Sequence, residues 1–430
     1  MDKEKEENKT EINKENTENK VNNRQEEESK KMNIEEKDIS KLQSSFTKFL
    51  NDHTIYEAIP EDMKILVFND ELLINDSIEA MIKEDIYCGL LYNSEQNKHS
   101  GIFTIRDVLG LLLIGYKKLV SFLNTNKNIT SYDLLKSNIN TFFAQFGNES
   151  EDIIKSSNNK KENNENRMEI EDEENNQNNS NINEDKENDP KIYNEIVKDF
   201  QQFISLFENI TLQSFIDLFH VKENNYTLIS LYSDSSLDEC IKTIQSHNIH
   251  RLIVQDKKSN NLSGFITYET IFEYFIENYY SSMDEFHIPL NSLDIVVKNI
   301  ITLNKNENLH KCMETFYKEK ISMIPIMDGE EVFGYFYLKD IIYFFSLGEK
   351  FNFSNSIESF LKDLYEGVDD EKPYGKKRII ELTSDDIDLK QVFEKLSVSP
   401  ERKMIVKNAN YNNAKVGVIA LYDIFKKLVD

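Results

Sequence analysis

The feature that most limits how this chain can fold is a fourfold repetition. Four times a glycine is followed six residues later by a polar residue at a helix start: Gly101 to Asp107 (GIFTIRD), Gly264 to Thr270 (GFITYET), Gly334 to Asp340 (GYFYLKD) and Gly417 to Asp423 (GVIALYD). Upstream of each glycine, apolar residues recur at helical spacing: Ile74, Ile78, Met81; Leu237, Ile241, Ile244; Leu309, Met313, Phe316; Leu389, Phe393, Leu396. Short apolar strands follow these helices at Tyr87–Tyr92, His250–Val254, Ser322–Met327 and Arg402–Val406, and others precede them at Ile65–Phe68, Thr227–Leu231, Ile300–Leu303 and Ile379–Leu382. Each copy therefore reads strand, helix, strand, turn, strand, helix over about 60 residues. So small a unit cannot bury both faces of its sheet, and the copies should pack on each other.

This predicts a mixed α/β (α+β) chain of four modules. Copy one spans 50–122, copy two 196–282, copy three 293–347 and copy four 376–430, with an insertion at 123–195 and an N-terminal tail at 1–40. Copies one and two, and copies three and four, are expected to form two tandem pairs. Net charge is −26. Residues 1–40 and 151–190 are dominated by Asn, Glu and Lys, cannot offset the entropy of ordering, and are expected to be disordered. Helical periodicity also marks Ile129–Phe146, Ile192–Phe219 and Phe351–Leu364.

The acidic balance argues against nucleic acid, whose phosphates need clustered Lys and Arg. Cys88, Cys240 and Cys312 form no CxxC pair and predict neither a disulfide nor a zinc site, which fits a reducing compartment. The apolar run Val108–Val120 is shorter than the roughly 20 residues a bilayer span needs, and the charged start lacks the apolar core of a signal peptide. A soluble chain, cytoplasmic or nuclear and without membrane contact, is expected. His247 and His250 lack a third ligand, so no metal is expected. No nucleophile–base order, P-loop or acid pair points to catalysis.

The recurrent acid has two readings. A carboxylate in the first turn of a helix can accept hydrogen bonds from the hydroxyls of a bound ligand. It can equally cap the helix start, the commonest work of Asp there. Asp107, Asp340 and Asp423 carry either reading, and Thr270 cannot supply the carboxylate.

The repeat, with its T-x-x-D helix start, resembles the CBS domain, a module that works in pairs and often binds adenosine nucleotides. Four copies with Asp absent only from the second resemble the gamma subunits of the AMP-activated (sucrose-non-fermenting) protein kinases. IYEAIPEDMKILVF (Ile55–Phe68) and NIHRLIVQD (Asn248–Asp256) add local likeness. The resemblance implies a non-catalytic regulatory subunit with AMP, ADP and ATP as ligands and no other cofactor. Its partners would be a catalytic alpha subunit and a beta scaffold subunit. Asp107, Asp340 and Asp423 would hold ribose, and Thr104, His250, Arg251, Ser322, Arg402 and Lys403 would face phosphate or its surroundings. Family cations are replaced here by Tyr87, Glu269 and Thr270. Arg106 and Lys339, each one residue before a ribose Asp, are candidates to compensate. The alternative is an assembly scaffold that has lost nucleotide sensing.

Overall fold

A computed structural model describes residues 36–113, 210–220, 228–258, 261–280, 286–293, 295–297, 300–343, 353, 355–366, 376–382, 387–411 and 414–429. The expectations for residues 1–35, for Ile129–Phe146 and for the insertion at 123–195 lie outside the described residues.

Every copy forms one three-stranded sheet in chain order. The strands are β1 (Leu66–Asn69), β2 (Cys88–Asn93) and β3 (Lys98–Thr104); β4 (Ser230–Tyr232), β5 (Leu252–Gln255) and β6 (Leu262–Ile266); β7 (Leu303–Asn304), β8 (Met323–Asp328) and β9 (Glu331–Tyr337); and β10 (Ile380–Leu382), β11 (Lys403–Tyr411) and β12 (Ala414–Ala420). The first two strands of each sheet run parallel, and the second and third form an antiparallel hairpin. A parallel pair requires a crossover. Helices Ile74–Glu84, Leu237–Ser246, Leu309–Glu319 and Leu389–Val398 supply it, each burying its apolar stripe.

Three crossover helices are opened by a side chain accepting the N–H three residues on: Ser236, Asn308 and Asp388. Three are followed by a residue in the left-handed region, Asp85, Asn248 and Lys320. The equivalent position of copy four is Pro400, whose ring forbids positive φ. There the left-handed residue is Arg402, at φ 49°.

The segment ahead of each copy docks on a different copy, and it does so reciprocally. Residues 36–58 dock on copy two, where the Leu237 N–H donates to His53 O at 3.0 Å. Residues 210–220 dock on copy one, with the Ile74 N–H on Ile210 O at 2.9 Å. Residues 286–293 dock on copy four, with the Leu389 N–H on Ile288 O at 2.9 Å, and residues 353–365 on copy three, with the Leu309 N–H on Asn355 O at 3.0 Å. In all four cases the donor is the first N–H of the crossover helix, which has no partner inside the helix. Single antiparallel bridges repeat the same pattern at Thr54 with Ser236, Leu73 with Thr211, Pro289 with Asp388, and Asn308 with Ser356. Copies one and two, and copies three and four, thus exchange leader segments.

The compact units follow a different partition. One unit holds residues 1–63, 229–300 and 377–430, and the other holds 64–228 and 301–376. One core gathers Ile78, Phe103 and Phe215 with Met313, Phe336 and Phe360, joining copies one and three. The other gathers Phe46, Phe49, Ile241 and Phe272 with Phe393, Met404 and Phe425, joining copies two and four. Helical periodicity reveals that a face is buried but not against which copy.

Residues 36–50 correct one expectation, since 36–40 are helical rather than part of a disordered tail. The helix drives Leu42, Phe46, Phe49 and Leu50 into the core shared by copies two and four, and the Gln43 amide donates to Lys427 O at 2.8 Å.

The repeated glycine acquires a reason in the same unit. A Cβ on Gly264 would lie 3.1 Å from Met63 Sδ, and one on Gly417 would lie 2.6 Å from Val296 Cγ1. Met63 and Val296 follow shortly after the leader segments 36–58 and 286–293.

Candidate functional site: the four helix starts

The last helix of each copy begins where the third strand ends, and the polar residue singled out by the repeat lies on its first turn. In copy one, Asp107 Oδ2 accepts from the Thr104 N–H and from Thr104 Oγ1–H, each at 2.7 Å. In copy three, Asp340 Oδ2 accepts from the Tyr337 N–H at 3.0 Å. In copy four, the Asp423 carboxylate is bonded by the backbone of Ala420. In copy two, the Thr270 N–H donates to Thr267 Oγ1 at 3.2 Å, and the two hydroxyls lie 3.1 Å apart. One geometry recurs: the side chain turns back onto the residue three before it, as a helix cap does. Capping and ligand binding are not exclusive, because a carboxylate has more acceptor sites than these bonds occupy.

The three acids differ in exposure. Asp107 and Asp423 are half-buried, whereas Asp340 is 0% exposed. Burial pushes the Asp107 carboxyl up to about 6, against the lowering effect of both Thr104 bonds and of Arg106. Asp423 is also raised by burial, with the Ala420 bond and Lys426 opposing. A carboxyl lifted towards neutrality at the edge of a fold is a frequent mark of a binding position.

The candidate cations are placed unevenly. His250 is exposed and Arg251 half-buried, just ahead of β5. Ser322 is exposed ahead of β8, and its carbonyl accepts the Leu338 N–H at 2.9 Å. Lys403 Nζ donates to Glu401 O at 3.2 Å. Arg402 is committed to the end of its own crossover helix: Nη1 donates to Leu396 O at 2.9 Å, to Ser397 O and to Ser399 O at 3.4 Å, while Nη2 meets Glu273 Oε1 at 2.7 Å. The displacement of the left-handed residue past Pro400 aims that guanidinium backwards along the chain.

Arg106 does the same work from another copy. Its Nη1 donates to Phe316 O at 2.9 Å and Nη2 to Ile321 O at 3.1 Å, across the unit that joins copies one and three. Phe316 is the repeat equivalent of Leu396, so two guanidiniums from unrelated chain positions satisfy equivalent carbonyls in two copies. Lys339 returns the contact, with Nζ 5.8 Å above the Tyr87 ring of copy one. Both cations, expected as candidates to compensate for the replaced family cations, are engaged with the other copy of the unit. They tie the two copies together. That role left no local signal, because it depends on which copies share a core.

Unit by unit, the structure brings Thr104, Asp107, Ser322 and Asp340 together in one body, and His250, Arg251, Arg402, Lys403 and Asp423 in the other. Among the described residues there is no cluster of three or more His, Cys, Asp or Glu suited to a metal ion. No helix among them is long and apolar enough to cross a membrane.

The family model of the CBS domain matches residues 201–277 and 292–347, and the unmatched copies one and four repeat the same sheet order. The fold is mixed α/β, and two of its four copies match the CBS domain. The chain is also similar to proteins named gamma subunits. It is 25% identical over 288 residues, 66% of this chain, to the 5′-AMP-activated protein kinase subunit gamma of Dictyostelium discoideum. It is 26% identical over 68 residues to the subunit of the same name from Saccharomyces cerevisiae. The matches span only 36% and 21% of those two relatives. The fold is shared with a Methanocaldococcus jannaschii protein proposed as an archaeal homologue of the same subunit, at a TM-score of 0.51 and 14% identity, over 87% of this chain and 99% of that one.

Proposed function

We propose that this chain is the adenine-nucleotide-binding regulatory subunit of a protein kinase assembly of the AMP-activated type. Its partners are then a catalytic alpha subunit and a beta scaffold subunit, and its ligands AMP, ADP and ATP. The observation that carries the reading is the half-buried carboxylate at a helix start, Asp107 in copy one and Asp423 in copy four, in a CBS-domain chain similar to proteins named gamma subunits. Charge-assisted bonds from a ribose diol to such a carboxylate are worth about 1.5 to 3 kcal/mol each. Arg251 and Lys403 supply positive charge towards phosphate, and His250 a ring nitrogen that can donate a hydrogen bond to it. Copy two, with Thr270 in place of the acid, offers no carboxylate to ribose.

Regulation follows from linkage. If AMP favours one arrangement of the assembly over ATP by about 1 to 3 kcal/mol, activity changes by about 5- to 150-fold. The test is calorimetric titration of the full chain with AMP, ADP and ATP, beside capture of the kinase partners from native extract. Absence of binding to the intact chain would sink the sensing claim.

A second reading, a scaffold that assembles a complex without sensing nucleotide, is favoured by one observation. Arg106 and Arg402 satisfy backbone carbonyls, and all three acids already accept a bond from their own chain. A kinase complex that ignores all three nucleotides yet falls apart without this chain would select it.

A further inference from the structure

The three acids share a sequence position but not a surrounding. Copies one and four continue from the third strand into an α-helix, 105–113 and Leu421–Val429. Copy three continues into a 3₁₀ helix, Leu338–Tyr343. A 3₁₀ helix turns about 120° per residue against about 100° in an α-helix, so two steps from Leu338 rotate residue 340 by about 40° relative to its counterparts.

The side chains agree with that rotation. Asp340 is fully enclosed, and Tyr337, which stands where copy one has Thr104, is 1% exposed and among the largest fully buried side chains of the chain. The Cys312 thiol, on the crossover helix of copy three, is pushed up by burial and next by the charge of Asp340. The carboxylate therefore lies near that crossover helix. The Tyr337 N–H holds it there.

We infer that the helix start of copy three is closed to ligand, with Asp340 serving as an internal cap and ribose binding confined to Asp107 and Asp423. Tyr337 is the residue that decides the difference, a bulky ring where copy one carries a short hydroxyl. This deepens the nucleotide-binding reading and rests on it.

Equilibrium dialysis of labelled AMP, and separately of ATP, against the full chain tests the inference. Asp340→Asn keeps an acceptor for the Tyr337 N–H, so the variant should fold. Its stoichiometry should match wild type, with affinities within twofold. Asp107→Asn and Asp423→Asn should each lose at least tenfold at one site. Loss of a bound equivalent in Asp340→Asn would overturn the closure. Labelling of carboxylates with a water-soluble carbodiimide and glycinamide, mapped by mass spectrometry, reads closure without any nucleotide. Asp423 should be modified and Asp340 spared, and equal modification would overturn the inference even if wild type binds nothing. Failure of wild type to bind in dialysis would reject only the nucleotide reading, leaving the labelling to decide closure.

Discussion

Replacing Asp107 by Asn should stabilise the protein at neutral pH and leave it unchanged in acid. In the fold, burial raises the Asp107 carboxyl from 3.8 to about 6. At about 1.4 kcal/mol per pH unit, ionised Asp107 is therefore about 3 kcal/mol less favourable in the fold than in the open chain. Between roughly pH 4 and pH 6 the folded chain keeps a proton that the unfolded chain has released, so this group's contribution to stability falls as pH rises through that window. Asn does not titrate there, and its amide oxygen can accept the Thr104 N–H and hydroxyl as Asp107 Oδ2 does. Solvent at the half-buried edge reduces the effect, so the expected gain at pH 7.5 is about 1 to 3 kcal/mol, shrinking to near zero at pH 4. The chain has no Trp, which makes circular dichroism through a urea titration the suitable signal, with variant and wild type compared at each pH. A difference constant from pH 4 to pH 7.5 would refute the reasoning. If the gain comes with weaker AMP binding, Asp107 is an acid kept against stability because a ligand uses it.

Gly417→Ala places a methyl 2.6 Å from Val296 Cγ1, and overpacking at such a contact costs about 1 to 3 kcal/mol. Its melting temperature should fall by several degrees, and an unchanged value would show that Val296 shifts freely. Arg402→Met removes the donor to three carbonyls and the ion pair with Glu273, with an expected cost of about 2 kcal/mol from carbonyls left without a partner. If Arg402 is a cap alone, AMP affinity should stay within twofold, whereas a tenfold loss assigns it to phosphate. Arg106→Gln should loosen the tie between copies one and three, read as faster amide exchange at the end of helix Leu309–Glu319 with no change in exchange of helix Leu389–Val398.

The repeat, its strands and its crossover helices were legible because spacing alone encodes them: Leu309, Met313 and Phe316 can share one face only in a helix. Predicted strand limits such as Ser322–Met327 fall within a residue of the observed β8. The partnership of cores was not legible, since an apolar stripe fits any complementary stripe. The helix at 36–50 did have a signal in Leu42, Phe46, Phe49 and Leu50, at intervals of four, three and one. The polar composition just before it masked that signal. At the site, position was readable and orientation was not. Asp340 and Asp423 share a sequence position, and what separates them is Tyr337 in place of Ala420 together with the change from α to 3₁₀ that follows it. Arg402 looked like a phosphate ligand because the effect of Pro400 on the next two residues is a backbone matter.

The exchange of leader segments sets an order on events during synthesis. Copy one emerges early, yet the first N–H of its crossover helix finds its partner only when Ile210 has been made, about 140 residues later. At about 5 to 20 residues per second this is a wait of roughly 7 to 28 seconds. Copy two meets no such delay, because its leader precedes it. A growing chain would thus hold one module completed and another open at the same helix end, with copies three and four repeating the arrangement further along. A fragment ending before residue 210 would lack the piece that closes copy one, and the same segment from a second molecule could take its place.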